Sequence, residues 1–100
     1  MKDLYIQKSV RTNKEETKKM LFITCVKVNP GMVKDARTFG DTMIKEPPKG
    51  VKFLQAYHTL GRYDALWFYE AEDPKVIVDF LHQSRDVAST ETWVAFERRI

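Results

Sequence analysis

Val51-Lys52-Phe53-Leu54-Gln55-Ala56-Tyr57-His58-Thr59-Leu60-Gly61-Arg62-Tyr63-Asp64-Ala65-Leu66-Trp67-Phe68-Tyr69-Glu70-Ala71-Glu72 reads as two strands about a short reversal. Both arms are rich in β-branched and aromatic residues, and Gly61 supplies the backbone freedom that a sharp turn needs. Strands joined so closely pair antiparallel, so Val51 to Leu60 and Ala65 to Glu72 form a hairpin around Gly61-Arg62-Tyr63-Asp64. Outside this hairpin the same unit occurs twice. Leu21 to Val28 is a strand followed by Asn29-Pro30-Gly31, and the hairpin's second strand is followed by Asp73-Pro74. An Asx residue before proline caps a helix: its side chain accepts an orphan N–H, and proline has none to lose. Val33, Ala36, Phe39 and Met43 then share one helical face, and Ile77, Phe80, Leu81 and Ser84 another. Glu46-Pro47-Pro48-Lys49-Gly50 ends the first helix, Gln83 to Ala88 is a loop, and Ser89 to Arg98 is the last strand. The order β-α-β-β-α-β predicts a ferredoxin-like α+β domain over residues 20–100, with a four-stranded antiparallel sheet and both helices on one face.

Such a layer leaves the other sheet face uncovered. Leu66 and Phe68 point one way along the third strand and Trp67 and Tyr69 the other, while Trp93 alternates with Val94 on the last. An aromatic-rich face is too apolar to stay wet, so Trp67, Tyr69 and Trp93 are expected at an interface with a second copy, in a homodimer or larger assembly. Size argues the same way. A chain of 100 residues makes one domain that buries only roughly 60–68% of its unfolded surface, and self-association buries more.

The net charge of +3 lies wholly in residues 1–19, where six basic residues face three acidic ones. This segment is expected to be a basic, flexible tail in which Leu4-Tyr5-Ile6 can add an edge strand. The body is neutral and lacks a basic–aromatic RNA-binding pattern, which argues against nucleic acid as a partner. The single cysteine, Cys25, excludes an internal disulfide and a multi-cysteine zinc site, and places the chain by default in a reducing cytoplasm. Neither a membrane span nor a signal peptide is read from the sequence.

Thr59-Leu60-Gly61-Arg62-Tyr63-Asp64, followed by a strand ending Glu70-Ala71-Glu72-Asp73, resembles the hallmark of GYD-domain proteins. Ser89-Thr90-Glu91-Thr92-Trp93-Val94-Ala95-Phe96 resembles that family's final strand. The same turn, with Asn29-Pro30-Gly31 after the first strand, also resembles the ligand-binding domains of leucine-responsive (Lrp/AsnC-type) regulators, including stand-alone forms. The resemblance implies a dimeric α+β barrel and, in the regulator-like relatives, a ligand site near this turn. One departure is Arg85-Asp86-Val87, where a glycine is common before the last strand.

The candidate ligand-binding residues are therefore His58, Gly61, Arg62, Tyr63 and Asp64. Gly61 and Asp64 build the turn, and Arg62 offers a planar fork that pairs with carboxylates. His58, on a strand face with Leu54, Ala56 and Leu60, is the one candidate general base. No histidine spacing suggests a metal, and no phosphate loop or nucleophile elbow is present, so neither metal nor cofactor is implied. The preferred reading is a non-catalytic, self-associating small-molecule-binding domain of a regulatory or sensor-like kind, for an amino acid or similar metabolite. The alternative is a cofactor-free monooxygenase or isomerase acting on a small apolar substrate with His58 as base.

Overall fold

The structure is a computed structural model that describes residues 19–98 and 100. Apart from Lys19, the basic segment and its expected edge strand at Leu4-Tyr5-Ile6 lie outside the described residues. The elements run β1 (Met20–Val28), α1 (Val33–Lys45), β2 (Val51–His58), β3 (Ala65–Ala71), α2 (Pro74–Gln83) and β4 (Ala88–Ala95). The sheet order is β2-β3-β1-β4, antiparallel at every pairing. This is the predicted ferredoxin-like α+β fold. Among the described residues, no helix is long and apolar enough to cross a membrane.

The helix starts differ from each other. Asp73 caps α2 as read from the sequence: its carboxylate accepts the Lys75 N–H at 2.9 Å, and Pro74 opens the helix. Asn29 does not cap α1, which begins at Val33 with no side-chain cap. Asn29-Pro30-Gly31 instead forms a turn, with Gly31 at φ 80° and the Met32 N–H donating to the Asn29 carbonyl at 3.0 Å. Asn29 ties this turn to the loop before β4 by donating its backbone N–H to the Val87 carbonyl at 2.8 Å.

Strand register decides which side chains the helices cover. Phe22, Thr24 and Val26 of β1 stand beside Tyr69, Trp67 and Ala65 of β3, and this is the covered face. At its centre Phe80 of α2, 1% exposed, stacks on Trp67 with ring centroids 6.0 Å apart and meets Tyr69 and Phe53 edge-on. Trp67 and Tyr69, expected on the uncovered face, are thus 8% and 0% exposed beneath the helices. Alternation separates the two sets but does not say which meets the helices. The larger rings face inward because they fill the space around Phe80 and bury the greater apolar area. The uncovered face carries Ile23, Leu66, Phe68, Tyr57 and Trp93, with Trp93 51% exposed and Tyr57 edge-on to Phe68.

Two local features shape the covered side. Thr24, completely buried, joins its hydroxyl to that of Tyr69 at 2.7 Å and to that of Thr92 at 2.8 Å, so three strands share one polar chain inside an apolar layer. On β2 the register slips by one residue between Phe53 and Gln55. Before this bulge Val51 and Phe53 face the helices. After it Ala56 and His58 do, beside Trp67 and Ala65. Leu54 therefore does not share a regular face with His58 as strict alternation implies.

Candidate functional site

Helix α1 lies against the sheet at a residue with no side chain. Gly40 is buried, and a Cβ there would stand 3.5 Å from Cζ2 of Trp67. Beside this contact a partly open cleft of about 470 Å³ is lined by both the helix and the sheet. Val26, Ala56, Ala65 and Trp67 contribute apolar surface to it, and α1 contributes Val33, Ala36, Arg37, Gly40, Asp41 and Ile44. His58 and Asp64 lie at the sheet end of the cleft.

The turn residues named from the sequence divide between the two sides of the sheet. Asp64 lines the cleft and holds the strand ends: its carboxylate accepts the Val28 N–H at 2.8 Å, and its own N–H donates to the Val26 carbonyl at 2.8 Å. Thr59 closes the turn from the other strand, donating its hydroxyl to the Tyr63 carbonyl at 2.8 Å. Tyr63 leans to the uncovered side, where its hydroxyl donates to Glu91 at 2.8 Å. That bond holds the phenol protonated and raises its pKa above the ordinary value. Gly61, at φ 109°, forms the exposed tip, and the Arg62 guanidinium lies 5.8 Å from the Tyr63 ring centroid. The cleft brings together His58 and Asp64; Gly61, Arg62 and Tyr63 are not among the residues that line it.

His58 is the last residue of β2, exposed at the rim. Cys25 is buried on the uncovered side opposite Glu91, and burial together with that carboxylate pushes its thiol pKa up, as suits an inert thiol. Among the described residues, no group of three or more His, Cys, Asp or Glu is placed to hold a metal ion. Sequence reasoning missed Arg37, Gly40 and Asp41. Their signal was present, since 33, 36, 37, 40, 41 and 44 follow helical spacing beside the apolar face that was read.

The arrangement defines a ferredoxin-like α+β domain with an open cleft between its first helix and its sheet. The chain belongs to the family described as a domain of unknown function (DUF3303), whose model matches residues 20–98. The likeness to GYD-domain proteins stays a resemblance carried by the turn and the last strand. No curated protein matches the chain. Among solved structures it is similar to LrpC of B. subtilis, with 16% identity and a TM-score of 0.68 over 96% of this chain and 64% of that one. It is also similar to a Neisseria meningitidis transcriptional regulator in complex with L-Met, with 13% identity and a TM-score of 0.62 over 94% of this chain and 60% of that one. AsnC of E. coli matches at 19% identity and a TM-score of 0.57, over 100% of this chain and 64% of that one. The chain thus spans less than two thirds of the length of these proteins, and the likeness is one of fold.

Proposed function

We propose that residues 20–100 form a non-catalytic, self-associating domain that binds a small molecule, an amino acid or a similar metabolite, as a sensor or regulatory module. The observation that carries this reading is the cleft between α1 and the sheet. At about 470 Å³, with an apolar interior and a few polar groups at its rim, it has the size and character of small-molecule sites, which run from roughly 300 to 1,000 Å³. The fold adds support, because the similar chains include regulators, one of them in complex with L-Met. Self-association is supported by the uncovered face bearing Ile23, Phe68 and Trp93, whose apolar area favours burial against a second copy. The test is a screen of the twenty amino acids and related metabolites against the assembled protein, read by melting temperature and tryptophan emission. Saturable stabilisation by one of them is expected. A flat response across the whole panel would refute the reading.

A second reading has one observation in its favour: His58 lies at the rim of the cleft and is open to solvent. In that reading it removes a proton from a small apolar substrate, as in a cofactor-free monooxygenase or isomerase. His58→Gln would then abolish turnover of such a substrate while sparing its binding. If the non-catalytic reading holds, the same variant changes binding alone.

A further inference from the structure

Resting on the small-molecule reading above, we propose that the cleft takes an α-amino acid with an apolar side chain, whose carboxylate pairs with Arg37 and whose ammonium pairs with Asp41. The argument starts from α1. Arg37 and Asp41 are four residues apart on the helix and both line the cleft, so opposite charges stand one turn from each other above an apolar floor. Side chains at that spacing have Cβ atoms about 5–6 Å apart, close enough to straddle the two charged groups borne on one carbon of an amino acid. Below them Val26, Ala56 and Trp67 offer an apolar surface for the remainder of the ligand.

The mixed charge discriminates among ligands. A dicarboxylate or a phosphate would meet Asp41, and a diamine would meet Arg37, each with a like charge close by. The other cation along the cleft, Lys27, alternates with Val26 and so belongs to the other face of β1. An uncharged apolar molecule would cover both groups without pairing either, and desolvating an unpaired charge is costly. The second carboxylate at the cleft, Asp64, is already engaged with the Val28 N–H, which leaves Asp41 as the natural partner of an ammonium. The pair also gives α1 little by itself. With arginine on the N-terminal side and aspartate on the C-terminal side, the order is the less stabilising of the two for a helix.

The experiment uses the full chain in a Trp93→Phe background, so that Trp67 is the only indole. L-leucine, L-valine, L-methionine, glycine, L-glutamate, 3-methylbutylamine and 4-methylpentanoate are titrated against its emission. An apolar amino acid is expected to give a saturable change. Glycine, glutamate and the two singly charged analogues should bind at least tenfold more weakly. Arg37→Gln and Asp41→Asn should each weaken the apolar amino acid by roughly tenfold or more, the usual effect of losing a charge-assisted hydrogen bond. Both variants should keep the parent's melting temperature and light-scattering mass, since both residues are exposed. If an amino acid binds but neither variant alters its affinity, this site is wrong and the broader reading survives. If none of these ligands changes the emission, this proposal falls, while the broader reading falls only if the full panel of amino acids and related metabolites is also silent.

Discussion

Replacing Thr24 by valine removes one oxygen and little else. The two side chains have nearly the same shape and similar strand preference, so packing and backbone effects are small. What changes is the polar chain through the covered face. Tyr69, with 0% exposure, loses the partner 2.7 Å away, and Thr92 loses its own at 2.8 Å. Thr92 is half-buried and can turn toward water, whereas Tyr69 cannot. Leaving a buried hydroxyl unsatisfied costs about 1–3 kcal/mol. For a domain of this size each kcal/mol lowers Tm by roughly 4–8 °C, so a fall of about 4–24 °C is expected in calorimetry. A double-mutant cycle isolates the cause. Adding Tyr69→Phe to the valine variant removes the stranded hydroxyl, so the double variant should be more stable than Thr24→Val alone, with a coupling of about 1 kcal/mol in urea unfolding. A valine variant within about 0.5 kcal/mol of the parent, or a double variant equal to the sum of the singles, would refute the reasoning. Alkaline pH gives a further reading of the same group. Burial raises the Tyr69 pKa, opposed by its hydrogen bond to Thr24 and by the nearby Thr92 hydroxyl, so it lies above the unfolded value of about 10. Its contribution to stability is therefore fully present below that pH and is lost as pH rises through the folded value. Tyr69→Phe should flatten this part of the alkaline unfolding curve.

Gly40→Ala places a Cβ at ordinary contact distance from Trp67, so the gain in helix propensity, about 0.8–1 kcal/mol, should appear as higher stability in urea unfolding. Gly40→Leu should instead lift α1 from Trp67, cost about 1–3 kcal/mol and shift the indole emission. Asp64→Ala strands the Val28 N–H at the end of β1 and should lower stability by about 1–3 kcal/mol in the same assay. Trp93→Glu puts a charge on the uncovered face at a half-exposed position. The circular dichroism spectrum should be unchanged and the light-scattering mass reduced; an unchanged mass would count against a second copy covering that face.

The elements were legible because each rests on local physics: alternation for the strands, spacing of three and four for the helices, Asp73-Pro74 for the second helix start. Asn29-Pro30-Gly31 carries the same kind of signal but is drawn into a turn, because its backbone bonds to Val87 on a loop far away in sequence. Long-range pairing also decided the sheet faces. Nothing within Leu66 to Tyr69 says which rings meet Phe80; the register with β1 says it. The candidate site was legible in part for the same reason. His58 and Asp64 belong to the hairpin that was read, whereas Arg37 and Asp41 acquire meaning only once Gly40 brings their helix onto Trp67 and a gap opens beside it.

The one-residue slip on β2 gives the strand a spare residue, so the chain tolerates the loss of one residue at that point. Deleting Leu54, the residue skipped in the pairing with β3, would close the bulge and leave Phe53 beside Tyr69 and Gln55 beside Phe68, so every residue that follows keeps its surroundings. Tyr57 would stay on the uncovered side and His58 beside the cleft. Loss of a single codon at this place would thus remove one exposed leucine without moving the imidazole at the cleft. A second deletion on the same strand would have no spare residue to absorb it, and only then would Tyr57 turn toward the cleft and His58 away from it.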